Sequence, residues 1–172
     1  NLLFEHQGLN AEGVPFFVEK ATQYNIQGNN NTMHAAFFDF DLDGDQDLYV
    51  LNNALGIYSP TDYKAKRLNG SAPNNDQFYE NLGNGKFVDI SKKAGVQIEG
   101  YGLGLAVSDY NHDGYPDIYI ANDYIANDIL YINQQNGSFK NEIDKYLSKQ
   151  SKFSMGVVSE DLNHDGHNEL FV

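Results

Sequence analysis

Asp39-Phe40-Asp41-Leu42-Asp43-Gly44-Asp45-Gln46-Asp47 places five acidic side chains in nine residues, with Gly44 where the chain must turn sharply. Carboxylates so crowded repel one another unless a cation lies among them. A hard ion that takes six to eight oxygens at ~2.3–2.6 Å suits such a loop, and that ion is calcium. Magnesium demands a tighter octahedron and keeps its waters, so it fits less well.

One acidic stretch could be a solvated charge run. The pattern returns twice, however, as D-Y-N-H-D-G-Y-P-D over Asp109–Asp117 and D-L-N-H-D-G-H-N-E over Asp161–Glu169. Each copy has Asp first, Asp or Asn third, Asp fifth, Gly sixth, and Asp or Glu ninth. The opening six residues also match an EF-hand, which requires a bidentate Glu at position twelve and flanking helices. Position twelve is Val50, Ile120 and Val172, and none of these side chains can ligate.

The flanks read as strands. Ala35-Ala36-Phe37-Phe38 enters the first loop and Leu48-Tyr49-Val50-Leu51 leaves it. Leu105-Ala106-Val107 and Ile118-Tyr119-Ile120 bracket the second; Gly156-Val157-Val158 and Leu170-Phe171-Val172 bracket the third. Short β-branched and aromatic runs between turn residues predict strands, so each loop is expected to close a hairpin rather than join helices. A dockerin, which needs a helix after its loop, fails on the same ground.

A second unit recurs. F-Y-E-N-L-G-N-G-K-F (Phe78–Phe87) matches L-Y-I-N-Q-Q-N-G-S-F (Leu130–Phe139), each a strand, an Asn-Gly turn and a strand. Leu3-Phe4 and Phe16-Phe17 form a looser copy. Tyr79 to Tyr131 and Asp109 to Asp161 are both 52 residues, and each hairpin Phe (17, 87, 139) precedes the next acidic loop by 22. Asp39 to Asp109 is 70, the excess of 18 lying between Asp47 and Tyr79. That insertion, about 52–76, contains Ser59-Pro60 and Asn69-Gly70-Ser71-Ala72-Pro73-Asn74-Asn75 and reads as a long surface loop of the kind that carries function.

Four short strands repeating near 50 residues describe a β-propeller blade. The expected fold is all-β, a β-propeller segment of four-stranded antiparallel blades. Full blades fall at 33–92 and 102–143, with half blades at 2–19 and 155–172. Fewer than four blades do not close a ring, so further chain or a partner is expected to cover the outer strand edges. The stretch Asn141–Lys152 reads as a connector with a short helical turn.

Net charge is −13, and 11 of the 24 acids sit in the three loops. Three dications would bring the total to about −7, ordinary for a soluble domain. The acidity is therefore mostly site chemistry, and it excludes the basic footprint of nucleic-acid binding. There is no cysteine, so no disulfide or thiolate metal site. No apolar run approaches the ~18 residues of a membrane span. Asn1 rather than Met opens the chain and no signal peptide precedes it, which reads as a processed protein or a piece of a longer one.

D-x-D-x-D-G-x-x-D between strands resembles the FG-GAP or VCBS repeat of calcium-bearing seven-bladed propellers, typified by the integrin α-subunit head. Phe78–Val96 and Phe153–Val172 look closer to the branch with ASPIC/UnbV domains and cartilage-acidic-protein-like propellers. The resemblance covers the chain apart from the insertion and implies a seven-bladed ring. It also implies the side-chain ligands: Asp39, Asp41, Asp43 and Asp47; Asp109, Asn111, Asp113 and Asp117; Asp161, Asn163, Asp165 and Glu169. Asp45, Tyr115 and His167 would ligate through backbone carbonyls. Asn at position three weakens loops two and three, and Glu169 is a methylene longer than the usual Asp.

The expected function is an extracellular, cell-surface or periplasmic calcium-binding module that mediates protein–protein interaction, with two to three structural Ca2+ ions and no catalysis. Its partner would be another protein or the rest of its own propeller. Two alternatives are open. One is a glycan-active protein, a polysaccharide lyase or carbohydrate binder, using Tyr58, Tyr63, Lys64, Lys66 and Arg67 of the insertion. The other is a subunit of a large surface assembly.

His112 and His164, at matching loop positions, read as solvent-facing, and the strand aromatics as inter-blade core. Asn30-Asn31-Thr32, Asn69-Gly70-Ser71 and Asn136-Gly137-Ser138 fit the glycosylation acceptor pattern, which has meaning only in a eukaryotic secretory host. No nucleophile elbow, phosphate loop or zinc triad is present.

Overall fold

A computed structural model describes residues 1–54, 65–124 and 126–172. Twelve strands account for nearly all regular structure in these residues. They are β1 (Phe4–Leu9), β2 (Pro15–Glu19), β3 (Thr32–Phe38), β4 (Asp47–Asn52), β5 (Gln77–Asn81), β6 (Phe87–Asp89), β7 (Gly102–Ser108), β8 (Asp117–Asn122), β9 (Ile129–Asn133), β10 (Phe139–Asn141), β11 (Val158–Glu160) and β12 (Glu169–Phe171). Two single-turn helices, α1 (Ala21–Tyr24) and α2 (Ile143–Tyr146), lie between sheets. Asn141–Lys152 thus contains its helical turn, whereas α1 carried no clear signal: Ala21-Thr22-Gln23-Tyr24 has weak propensity and is held by burial of Ala21.

The strands form two four-stranded antiparallel sheets, β3-β4-β5-β6 and β7-β8-β9-β10, and two two-stranded hairpins, β1-β2 and β11-β12. The protein is all-β with meandering sheets, as the loop flanks and hairpins predict. Side chains of β4 and β8 alternate between two packed faces, which explains why these strands are continuous apolar runs. Tyr49 and Leu51 join Phe38, Phe40, Phe78, Ile118, Ile120, Tyr131 and Phe139 in one core between the four-stranded sheets. Leu48 and Val50 face the other way, with Tyr79 and Phe87, toward Ala21 and Ile26. Tyr119 and Ala121 do the same toward Ile143, Val157 and Leu170. The aromatics of the two four-stranded sheets are mostly inter-sheet core, with Phe40 and Phe78 edge to face at 4.9 Å, whereas Phe4, Phe16, Phe17, Phe37 and Phe171 are exposed on their strands.

The innermost strands approach closely. A Cβ on Gly104 would stand 2.9 Å from the backbone of Gly156 and Val157, so only glycine permits this contact between β7 and the chain leading to β11.

Two expectations change in detail. In the β5–β6 and β9–β10 hairpins positive φ falls at Gly83 and Gly85, and at Gln135 and Gly137, so Asn-Gly is not a two-residue turn. Each loop instead spans three residues, closed by Leu82 N–H to Lys86 C=O and Gln134 N–H to Ser138 C=O, both 2.9 Å. The insertion, read as a surface loop, is anchored at both ends. Asn52, Asn53 and Ala54 are buried, as are Ala72, Asn74 and Asp76. The Glu99 N–H donates to Arg67 C=O at 2.9 Å, the Arg67 N–H to the Glu99 carboxylate at 3.0 Å, and Asn74 Nδ2 to Gly100 C=O at 3.1 Å. Polar residues there satisfy buried backbone, a use invisible to composition.

Candidate metal centre

All three acidic loops join the first two strands of a sheet or hairpin and share one hydrogen-bond scheme. In loop one the Asp43 N–H donates to Asp39 Oδ1 (3.1 Å) and Asp41 Oδ1 (3.3 Å), Gly44 N–H to Asp39 Oδ2 (3.0 Å), and Asp45 N–H to Asp43 Oδ1 (3.0 Å). Loop two repeats it: Asp113 N–H to Asp109 (3.1 Å) and Asn111 (3.0 Å), Gly114 N–H to Asp109 (2.8 Å), Tyr115 N–H to Asp113 (2.9 Å). Loop three does so with Asp165 N–H to Asp161 (3.1 Å) and Asn163 (2.9 Å), Gly166 N–H to Asp161 (2.9 Å) and His167 N–H to Asp165 (2.8 Å).

Two backbone conformations make this wrapping possible. Gly44, Gly114 and Gly166 have φ near 90°, which glycine alone adopts freely. Leu42, His112 and His164, at position four, are left-handed at φ 60–63°. The strained position four turns the chain around the space enclosed by positions one, three and five.

That space fits a cation best in loop one. Ligand oxygens of Asp39, Asp41 and Asp43 lie within 4.8 Å of one another. Asp45 Oδ1 is buried with no hydrogen-bond partner among the described residues, an orphaned acceptor beside the same cluster. Burial, followed by the charges of neighbouring carboxylates, pushes Asp41 and Asp45 above the usual carboxylate range. A bound dication would reverse that repulsion. The donor set, oxygen only, suits calcium. In loop two Asn111 Nδ2 and Gln135 Nε2 donate to Asp113 Oδ2, both at 2.9 Å. Burial would raise Asp113, but these donors and the Tyr115 N–H hold it below the usual range.

The ninth residue is set apart from the rest. Asp47 and Asp117 are buried, and each uses both oxygens on backbone donors. Asp47 accepts from Phe40 N–H (3.2 Å) and Asn81 N–H (2.8 Å), and Asp117 from Tyr110 N–H (2.9 Å) and Asn133 N–H (2.8 Å). Burial raises each to about 6, against those bonds. These carboxylates tie the loop to the third strand of the sheet. Glu169 keeps only the local half of this arrangement, accepting from Leu162 N–H (2.8 Å) and Asn163 Nδ2 (3.0 Å).

At the opposite strand ends lies a matched polar network that the sequence reading missed. Asp76 accepts from Tyr49 O–H (2.8 Å) and Asn52 N–H (2.8 Å); Asp128 accepts from Tyr119 O–H (2.7 Å), Asn122 N–H (2.7 Å) and Ser154 O–H (2.8 Å). The signal was present as N-D-Q-F-Y-E-N against N-D-I-L-Y-I-N, one dipeptide upstream of the matched hairpins. Of the insertion residues considered for glycan chemistry, Tyr58, Tyr63 and Lys64 lie outside the described residues. Lys66 is lowered by burial, and Arg67 Nη1 donates to Ser71 C=O at 3.0 Å, holding its own segment.

The family model for an FG-GAP-like repeat matches residues 68–120 and 109–172, together well over half of the chain. The chain belongs to the FG-GAP-like repeat family. The first match runs from the end of the insertion through loop two to β8, and the second from loop two to the end of β12. Loop one precedes both matches, yet it has the same hydrogen-bond scheme as the FG-GAP loops two and three. No curated protein matches the chain. Among the described residues no helix is long and apolar enough to cross a membrane.

Proposed function

We propose that this FG-GAP propeller module is an extracellular or cell-surface calcium-binding unit that mediates protein–protein interaction, with calcium as a structural staple. The observation that carries the reading is the shared scheme of the three loops around a cluster of oxygen donors, richest at Asp39, Asp41 and Asp43. Bound calcium would be neutralised by the side chains at positions one, three, five and nine (Asp47, Asp117 and Glu169 at the last), with the position-seven carbonyls of Asp45, Tyr115 and His167 and solvent adding further oxygens. The loops cap the hairpins of adjacent inner strands, so an ion there stiffens the edge of each blade. Millimolar calcium outside cells fills sites of modest affinity, and the absence of cysteine leaves metal as the available cross-link.

The test is elemental analysis with thermal melts in calcium and in excess chelator. Asp43→Ala is expected to lose about one calcium per chain and to lower the melting temperature in calcium. Asp113→Ala should do the same at loop two. Unchanged metal content and melting in both variants would remove the structural role.

A further inference from the structure

We propose that His112 and His167 form a binding site for a divalent transition metal, of the zinc, copper or nickel class, that bridges loops two and three. His112 Nε2 and His167 Nδ1 are 2.6 Å apart, and the rings meet edge on with centroids at 4.0 Å. The residues are 55 apart in the chain and belong to different sheets, yet both rings stand at the exposed tips of their loops. Without a metal, one N–H donates to the other ring's lone pair. Opening the pair to about 3.3 Å by side-chain rotation lets both nitrogens face one ion at ~2.0–2.1 Å, with solvent completing a tetrahedron.

The backbone beneath is already placed. Tyr110, two residues before His112, packs in one cluster with Val157 and Leu170 on either side of loop three. Asn168, next to His167, donates from Nδ2 to Ser108 Oγ at 2.9 Å. Ordering two independent loops is therefore not part of the cost of binding. The donor chemistry separates this site from the calcium loops: imidazole nitrogen favours zinc, copper and nickel, whereas calcium takes oxygen.

The pairing is also local to this loop pair. Position four of loop one is Leu42 and position seven of loop two is Tyr115, neither of which offers a nitrogen donor. His164, the loop-three counterpart of His112, serves as an internal control. The inference does not require the calcium reading, because the ligands are side-chain nitrogens that calcium leaves alone.

The experiment is calorimetric titration of Zn2+ into the untagged, calcium-saturated full chain, with calcium release monitored. One zinc per chain is expected to bind without displacing calcium. His112→Ala and His167→Ala should each weaken binding at least tenfold, and His164→Ala should leave it unchanged. Cu2+ bound at the same site should show two equatorial imidazole nitrogens by electron paramagnetic resonance. Alanine at 167 keeps the backbone carbonyl assigned to calcium and removes an exposed ring, so His167→Ala should melt like the parent in calcium, and His112→Asn, which tolerates the left-handed φ of position four, stands in for His112→Ala if that variant melts lower. Equal zinc affinity in His112→Ala and His167→Ala, an equal loss in His164→Ala, or stoichiometric calcium release would overturn the proposal.

Discussion

Loops one and three differ in where their ninth residue ends up. Asp47 is 1% exposed and bridges the Phe40 and Asn81 amides, the second belonging to β5. Glu169 is only partly buried and bonds within its own loop, and among the described residues β11 and β12 pair only with each other. Positions one to seven nevertheless carry the same hydrogen bonds in both. The wrapping of the loop is thus local, set by short Asp and Asn side chains that accept from amides two to five residues ahead. Locking the loop to the sheet is not local, and it needs a strand that only a complete blade supplies.

The sharpest way to break this contrast is to remove the ninth side chain. Asp47→Ala leaves the buried Phe40 amide and the half-buried Asn81 amide without acceptors, each bond to a charged group being worth about 1.5–3 kcal/mol. The melting temperature should fall on the order of 10 °C at ~2–4 °C per kcal/mol for a domain of this size. The loss should persist in chelator, since the amides are left unpaired with or without metal. Glu169→Ala should cost less than about 1 kcal/mol by the same measurement. Equal losses in the two variants would mean that the third strand adds nothing.

A second comparison lies between the two ends of one sheet. Burial raises Asp76 to about 7 from an ordinary value of 3.8, against its bonds from Asn52 and Tyr49. The folded state therefore holds a proton that the unfolded chain has released. Stability from this group is complete below about pH 4 and is lost as pH rises through 7. Asp76→Asn cannot titrate, so the parent should lose stability relative to it across that window by up to about 1.4 kcal/mol per pH unit. Urea unfolding at several pH values reads the difference, and parallel curves would show that Asp76 stays ionised throughout.

The smallest expected effect concerns position four. Leu42 is left-handed and exposed, a conformation that costs a branched residue about 1–2 kcal/mol. Leu42→Gly should raise stability in calcium by up to about 1 kcal/mol, since glycine also gains freedom in the unfolded chain. A loss of stability would show that the Leu42 side chain packs usefully despite its exposure.

Much of the architecture was legible because it rests on local rules. Short β-branched and aromatic runs and the acidic loops each act within a few residues and read directly as strand and cation cradle, and their recurrence at 52 residues gives the blade period. The position-nine aspartates were legible as members of the loop motif, but their burial against β5 and β9 was not. His112 looked solvent-facing, and it is exposed, but its contact with His167 depends on two loops meeting from different sheets. Asn74 and Asp76 looked like turn-rich surface residues and are instead buried acceptors and donors for backbone elsewhere.

By itself, then, the sequence determined the strands, the hairpins, the family and the residues that crowd oxygen around each loop, because backbone propensity and short-range side-chain hydrogen bonds act through chain proximity. Only the tertiary structure decided which carboxylates are buried and raised, which loop is locked to a third strand, and which two imidazoles touch. Desolvation and contact between sheets depend on neighbours that lie tens of residues away in the chain.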